Sequence, residues 1–305
     1  MIREVEFPSE RATLRGLLFL PEAKKKPPAI VMAHGTSATI RMVADKYADA
    51  YCRADVAVLL YDHRNFGRSG GEPRREINPW IQCRGYRDAI DFVTRLDEVD
   101  PDRIALWGDS YSGGQVVVVG AIDHRVKAIV AQCPVFGAQL PSVAPNRAAF
   151  AAIRETFLRG DVHGLPATTT GPMPVVSSDQ GGTPSLLQPI QAFRWFIEYG
   201  GRPGSHWFNR VTRVIPATGI PYDPMLCAPF LEAPTLIMVA PEDEMAHCSY
   251  AVTKQAYRLM PDPKACYEIA GGHFGLLYYP GDLFDEATRV QTEFFRKWLL
   301  PRPGH

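Results

Sequence analysis

Ser110 lies in Trp107-Gly108-Asp109-Ser110-Tyr111-Ser112-Gly113-Gly114, between an apolar run and a glycine-rich turn. A serine on a sharp strand-to-helix bend can act as a nucleophile, because its hydroxyl projects into a cleft beside the first helical N–H groups and the positive helix end. Residues 103–107 read as a short buried strand and 115–119 as an apolar segment that can continue as a buried helix. Gly108 and Gly113 leave space for neighbouring backbone to pass close to the bend. Ser112 departs from the G-x-S-x-G pattern, standing where its second glycine is usual. The same residues also describe a helix N-cap, so the nucleophile reading needs a base, an orienting carboxylate and an oxyanion hole.

Each has a candidate downstream or upstream. His273, in Ala270-Gly271-Gly272-His273-Phe274-Gly275, follows the last strand-like run in a glycine loop that can bring an imidazole edge to a serine. Asp243, in Val239-Ala240-Pro241-Glu242-Asp243-Glu244-Met245, follows another such run and is the expected orienter, with Glu242 and Glu244 as alternatives. A carboxylate there would hold the imidazole tautomer that leaves its other nitrogen free to take a proton. For the oxyanion, Tyr111 offers the N–H after the nucleophile, and Thr36, in Ala33-His34-Gly35-Thr36-Ser37, offers the second. His34 is expected to brace that turn by hydrogen bonding.

Composition narrows the classes. In 305 residues, 33 basic and 33 acidic side chains give zero formal charge, and the one basic run is Lys24-Lys25-Lys26, so nucleic acid is not an expected partner. No apolar leader core or membrane-length run is present, which leads to the expectation of a cytoplasmic protein with no membrane partner. The six cysteines, Cys52, Cys83, Cys133, Cys227, Cys248 and Cys266, form no C-x-x-C pair and read as buried thiols; Cys248 lies near the acidic loop but is a weaker nucleophile than Ser110.

The elements that must position these residues alternate. Residues 3–7 and 13–20 read as an edge hairpin, and 29–33, 56–60, 103–107, 126–131, 235–239 and 265–269 as further strands. Helical spacing appears over 40–53, 79–96 and 284–300, and the repeated crossovers imply a largely parallel sheet of α/β class covered by helices. Residues 135–232 break the rhythm. They are rich in Pro and Gly, with coil-like 167–172 and 177–182 and helix-like 147–159 and 187–199, as an inserted cap or lid would be. The aromatic residues there, among them Phe150, Phe157, Trp195, Phe196 and Trp207, are expected to pack a small core of the cap, with some lining a pocket; Trp195, Trp207 and Phe274 are the expected substrate contacts.

The chain order Ser110, Asp243, His273 is that of α/β-hydrolases. On His34-Gly35, Gly108 to Gly114 and Gly272-His273, the sequence resembles that superfamily across essentially its whole length. Asp62-His63-Arg64-Asn65-Phe66-Gly67-Arg68-Ser69 is similar to its D-x-R-G-x-G-x-S loop, with Asn65 for the usual glycine, and as a structural landmark keeps Asp62 and His63 outside the chemistry. The resemblance implies an α/β-hydrolase fold, a mostly parallel central sheet flanked by helices, with residues 1–134 and 233–305 as core and 135–232 as cap. It implies a serine hydrolase cleaving a small-molecule carboxylic ester, needing no metal and no cofactor; an acyltransferase or thioesterase with the same triad is the alternative. Ser110-Tyr111 and Trp207-Phe208-Asn209-Arg210-Val211-Thr212 resemble the dienelactone-hydrolase-like and X-prolyl-peptidase-like esterases, some of whose relatives transfer acyl groups in polyketide pathways. Homo-oligomerisation is left open.

Overall fold

The computed structural model describes residues 1–160 and 162–300. Its first elements are β1 (Ile2–Ser9), β2 (Ala12–Phe19), β3 (Ala29–Ala33), α1 (Ala44–Cys52), β4 (Ala57–Tyr61), β5 (Glu76–Ile77) and α2 (Pro79–Val93). Then come β6 (Ile104–Asp109), α3 (Tyr111–Ile122), β7 (Val126–Gln132), α4 (Arg147–Arg159), β8 (Ala167–Met173) and α5 (Ile190–Gly200). The chain continues through β9 (Val211–Pro216), β10 (Thr235–Val239), α6 (Tyr250–Leu259), β11 (Lys264–Glu268), the single turn α7 (Gly272–Gly275) and α8 (Asp282–Leu299).

Eight strands form the central sheet in the order β1-β2-β4-β3-β6-β7-β10-β11. The β1–β2 hairpin sits at its edge, β2 also runs antiparallel to β4, and the other pairs are parallel. Strands β3, β4, β6 and β10 are buried at every residue, which is why they read as unbroken apolar runs rather than alternating ones. Alternate side chains feed two clusters. Val31, Leu59 and Leu106 pack with α2, α3 and α6 on one face, while Ile30, Met32 and Trp107 pack with α1, α5 and α8 on the other. Helix α3 is apolar on all sides because it is buried on all sides. Asn78 starts α2 by accepting from Trp80 N and Ile81 N, with Pro79 at the first helical position.

The sheet order places a topological switch at the site. From β3 the chain crosses through α1 to β4 on one side, then through α2 to β6 on the other, so the turns after β3 and β6 emerge next to each other at the carboxyl ends of the strands. The acidic loop after β10 and the histidine loop after β11 leave the same edge.

Three expected elements differ. The helix expected over 40–53 begins only at Ala44, because the backbone before it is committed elsewhere: Ile40 N donates to Asp62 and Met42 O faces His34 Nε2, and Val43 turns at φ 78°. The helix expected from 187 begins at Ile190; Pro189 disfavours helical backbone before it, and Leu187 N is spent on Val175 O. Residues 167–172, expected as coil, lie in β8, antiparallel to β9 in a second sheet ordered β5-β9-β8. Three successive threonines suit such an exposed strand.

Helices α4 and α5 do not close over a core of their own. Ile153 and Phe157 join the cluster of α2, and Trp195, Phe196 and Tyr199 join that of α1 and α8. The buried Arg84 fastens α4 by donating to the Thr156 and Phe157 carbonyls at its C-terminal end. No helix among the described residues is long and apolar enough to cross a membrane. Residues 301–305, the end of the expected core, lie outside the described residues.

Gln291 on α8 joins the sheet to this frame without any contact to solvent. Its Oε1 accepts from Trp107 Nε1 at 2.8 Å and from Tyr51, and its Nε2 donates to Gln132 Oε1 at 2.7 Å. Gln291→Leu strands two donors and one acceptor in the core. It is expected to lower stability by about 3 kcal/mol or more, read as a lower denaturation midpoint in urea.

Candidate active site

Ser110 occupies the bend between β6 and α3 with φ 55° and ψ −115°, a conformation L-residues avoid. Its N–H donates to Gln132 O at 2.8 Å and its carbonyl accepts from Val135 N at 2.9 Å, so the backbone is held from both sides. Although Ser110 precedes the first turn of α3, its hydroxyl makes no capping hydrogen bond, which removes the helix-cap reading. The flanking glycines are sterically required. A Cβ at Gly108 would lie 2.2 Å from Ser112 O, and one at Gly113 would lie 2.9 Å from Pro134 Cα.

Ser112 has a task that glycine could not perform. Its Oγ lies 2.8 Å from His34 O, 3.2 Å from Gln115 Oε1 and 2.9 Å from His63 Nε2. The hydroxyl donates toward the carbonyls and accepts from His63, tying the turn after β3, the loop after β4 and helix α3 together. Burial pushes the His63 imidazole down to about 3, so it stays neutral and donates from Nε2. Asp62 accepts from Ile40 N and Arg68 N, and burial pushes its carboxyl up to about 6. Asn65 takes φ 63°, the left-handed geometry that the usual glycine would supply.

Of the three acids after β10, one meets the imidazole ring of His273. Asp243 Oδ2 lies 2.8 Å from His273 Nδ1, and Asp243 Oδ1 accepts from Met245 N, fixing the carboxylate in its loop. Glu244 instead accepts from the backbone N–H of His273 at 2.8 Å, and Glu242 is exposed. Gly272, at φ 68°, is needed here because a Cβ would fall 2.4 Å from Glu244 Oε2. Burial works against a charged His273 imidazole, while Cys248 and the Asp243 carboxylate work for it; the balance lies well above the ordinary value. Cys133 Sγ also approaches Asp243 and His273, within 4.8 Å. Burial holds the Cys133 thiol in its protonated form, and Asp243 already accepts from His273 Nδ1–H, so these three groups form a hydrogen-bonded pair beside a thiol.

The turn after β3 completes the site. Gly35 lies so close to the bend that a Cβ there would be 2.6 Å from both Asp109 O and Ser110 Cβ, and Thr36 turns at φ 41°. His34 braces it, Nε2 facing Met42 O at 2.9 Å while Nδ1 accepts from Gly35 N at 2.8 Å. The backbone N–H groups of Thr36 and Tyr111 have no protein partner among the described residues. Serine, imidazole, carboxylate and two N–H donors at one edge can together run nucleophilic acyl chemistry.

Ser110 stands at the junction of two cavities. A recess of about 20 Å³ includes Ser110, His273, Trp195 and Phe274 in its wall. A cavity of about 590 Å³ is lined by Ser110, Tyr111, Ile77, Leu186, Met245, Arg213 and others; Thr36, Leu187 and Met245 also border both. Of the expected substrate contacts, Trp195 and Phe274 border the recess and Trp207 borders neither cavity. The Trp207 ring is packed on Phe196 and over Gly200, and its Nε1 donates to Ser37. The walls of the larger cavity come mostly from residues that sequence pattern did not single out, such as Ile77 on the two-residue β5 and Arg213 on β9.

A family model described as the alpha/beta hydrolase family matches residues 30–287. The acyltransferase drtE of Aspergillus calidoustus is 30% identical over 301 residues, covering 96% of this chain and 94% of that protein. A thiohydrolase of Eupenicillium brefeldianum is 29% identical over 302 residues with the same coverage, 96% and 94%. The crystal structure of the alpha/beta hydrolase GrgF from Penicillium sp. sh18 superposes with a TM-score of 0.73 at 22% identity, covering 98% of this chain and 99% of that one.

Gly108→Ala tests the packing of the bend. It is expected to cost about 1–3 kcal/mol in urea denaturation, since backbone and not a flexible side chain must yield. Gly164→Ala, with no atom within 4 Å of the added carbon, is the control and is expected to stay within about 0.5 kcal/mol.

Proposed function

The chain belongs to the alpha/beta hydrolase family, and on that premise we propose that it cleaves a small-molecule carboxylic ester through an acyl-enzyme on Ser110. The observation that carries the reading is the 2.8 Å contact between Asp243 and His273 Nδ1, with the imidazole bordering the same recess as Ser110. Held at Nδ1, His273 presents Nε2 to take the serine proton as Ser110 Oγ attacks the carbonyl carbon. The Thr36 and Tyr111 N–H groups receive the oxyanion of the tetrahedral intermediate. His273 returns the proton to the leaving alcohol, and a water activated by the same imidazole releases the acid. Residues 135–232 serve as the cap over this cleft, and the Ser110-Tyr111 pair supports placement near the dienelactone-hydrolase-like and X-prolyl-peptidase-like esterases.

A second reading keeps the triad and changes what enters or leaves. Full-length likeness to an acyltransferase and a thiohydrolase favours a thioester donor, or an acceptor other than water. Both readings share the acyl-enzyme and separate on a panel of p-nitrophenyl esters, thioesters and amides. Turnover of thioesters alone selects the second, as does an added alcohol or amine that diverts the acyl group from water.

Ser110→Ala is expected to reduce ester hydrolysis at least about 10⁴-fold with the fold retained; parent-like turnover would falsify the proposal. The base must be neutral to accept a proton. With the His273 imidazole raised above 6.5, kcat/KM is expected to fall with acidification at a pH above that value. Asp243→Asn removes one cause of the rise, so the acid limb is expected to move to lower pH while kcat drops about 10⁴-fold. A limb that stays in place in Asp243→Asn would assign it to another group.

A further inference from the structure

The larger cavity beside Ser110 is walled chiefly by apolar groups, yet it holds one cation. Arg213 on β9 is half-buried and borders it, and Ile77, its register partner on β5, borders it too, so this face of the second sheet looks toward the nucleophile. The Arg213 side chain makes no ion pair or hydrogen bond with any described residue, only its backbone being engaged in the ladders to β5 and β8. Arg84, by contrast, is buried against Glu10 and two carbonyl oxygens. The one carboxylate on the cavity wall, Glu244, is engaged with the His273 N–H. His247 stands on the same wall, and partial burial followed by the charge of Arg213 holds its imidazole below the ordinary value, so it adds no second positive charge.

A guanidinium offers five donors in a planar fork that matches carboxylate or phosphate oxygens in pairs. Leaving it partly dehydrated and unpaired costs free energy that an entering oxyanion would recover. We propose that Arg213 is a specificity-determining residue that binds an anionic group of the substrate, a carboxylate or phosphate held apart from the reacting carbonyl. This rests on the acyl-enzyme reading for the position of the carbonyl at Ser110. The oxyanion has two chemical sources: a carboxylate at the far end of the acyl chain, or a phosphate on the leaving group of an acyl thioester.

Two matched substrate pairs separate them. One is p-nitrophenyl hydrogen glutarate against p-nitrophenyl pentanoate; the other is pentanoyl-4′-phosphopantetheine against pentanoyl-pantetheine. The readout is the charged-to-neutral ratio of kcat/KM in the parent and in Arg213→Met. That ratio is expected to fall at least about tenfold for one pair, and the pair that responds identifies the source. Arg213→Lys, which keeps the charge and loses the fork, is expected to fall between them. Ratios that are unchanged in both pairs, or equal losses on charged and neutral substrates, overturn the assignment. Equilibrium binding of the two p-nitrophenyl esters to Ser110→Ala, with and without Arg213→Met, reads the first ratio without turnover. A parent that hydrolyses none of the four substrates overturns the acyl-enzyme reading, and the same binding measurement extended to pentanoyl-4′-phosphopantetheine and pentanoyl-pantetheine then decides on Arg213 for both sources.

Discussion

Everything at the site depends on holding Ser110 in a backbone conformation it would not choose. A non-glycine residue in such a region costs on the order of 1–3 kcal/mol, so its surroundings must over-determine it. They do so with hydrogen bonds to Gln132 O and from Val135 N and with three glycines, Gly35, Gly108 and Gly113, that let neighbouring atoms close in where a methyl group could not fit. Strand β6 and helix α3, both fully or nearly fully buried, act as the rigid arms of the bend. The hydroxyl is freed from capping because the backbone is secured by other groups.

That restraint reaches far into the protein. Asp109 Oδ1 accepts from Gln132 Nε2 at 2.9 Å, Gln132 Oε1 accepts from Gln291 Nε2, and Gln291 Oε1 accepts hydrogen bonds from Trp107 and Tyr51. A polar chain thus runs from the residue before Ser110, under the sheet, to the closing helix α8. Each buried amide in it is costly unless satisfied and specifies a single arrangement when it is. Ser112 makes the corresponding link on the other side, joining His34, His63 and Gln115. The departure from G-x-S-x-G at this position is therefore a gain of a hydroxyl that three segments share.

The legible parts of the sequence were those whose signal is local. Fully buried strands such as β3 and β10 announce themselves as apolar runs, and the glycines of the elbow and histidine loop stand where a side chain cannot. Sequence favours Asp243 as the orienter but keeps Glu242 and Glu244 as alternatives, because all three lie in one loop. What distinguishes them is where the loop meets His273: Asp243 reaches its ring, Glu244 its main chain and Glu242 solvent. The same limit explains the start of α1, where Asp62 and His34 claim the backbone from a distance, and Trp207, an aromatic residue spent on packing Phe196 and Gly200. Arg213 and Ile77 meet only through pairing of β5 with β9, strands separated by more than a hundred residues.

The volumes on the two sides of Ser110 constrain what a bound acyl group can do. A recess of about 20 Å³ has room for about one water, so the body of any substrate must occupy the cavity of about 590 Å³. On the acyl-enzyme reading, acyl and leaving groups then share that space. Once the leaving group departs, the part it vacated is the route to the acyl carbonyl. Water entering there gives hydrolysis, whereas an acceptor that fills it excludes water and takes the acyl group. On the same reading the triad is indifferent to this choice, since His273 as base would deprotonate either one. Selection would then fall to the walls supplied by β5, β9 and residues 186–189, which line the space beside Ser110 and contribute none of the proposed triad.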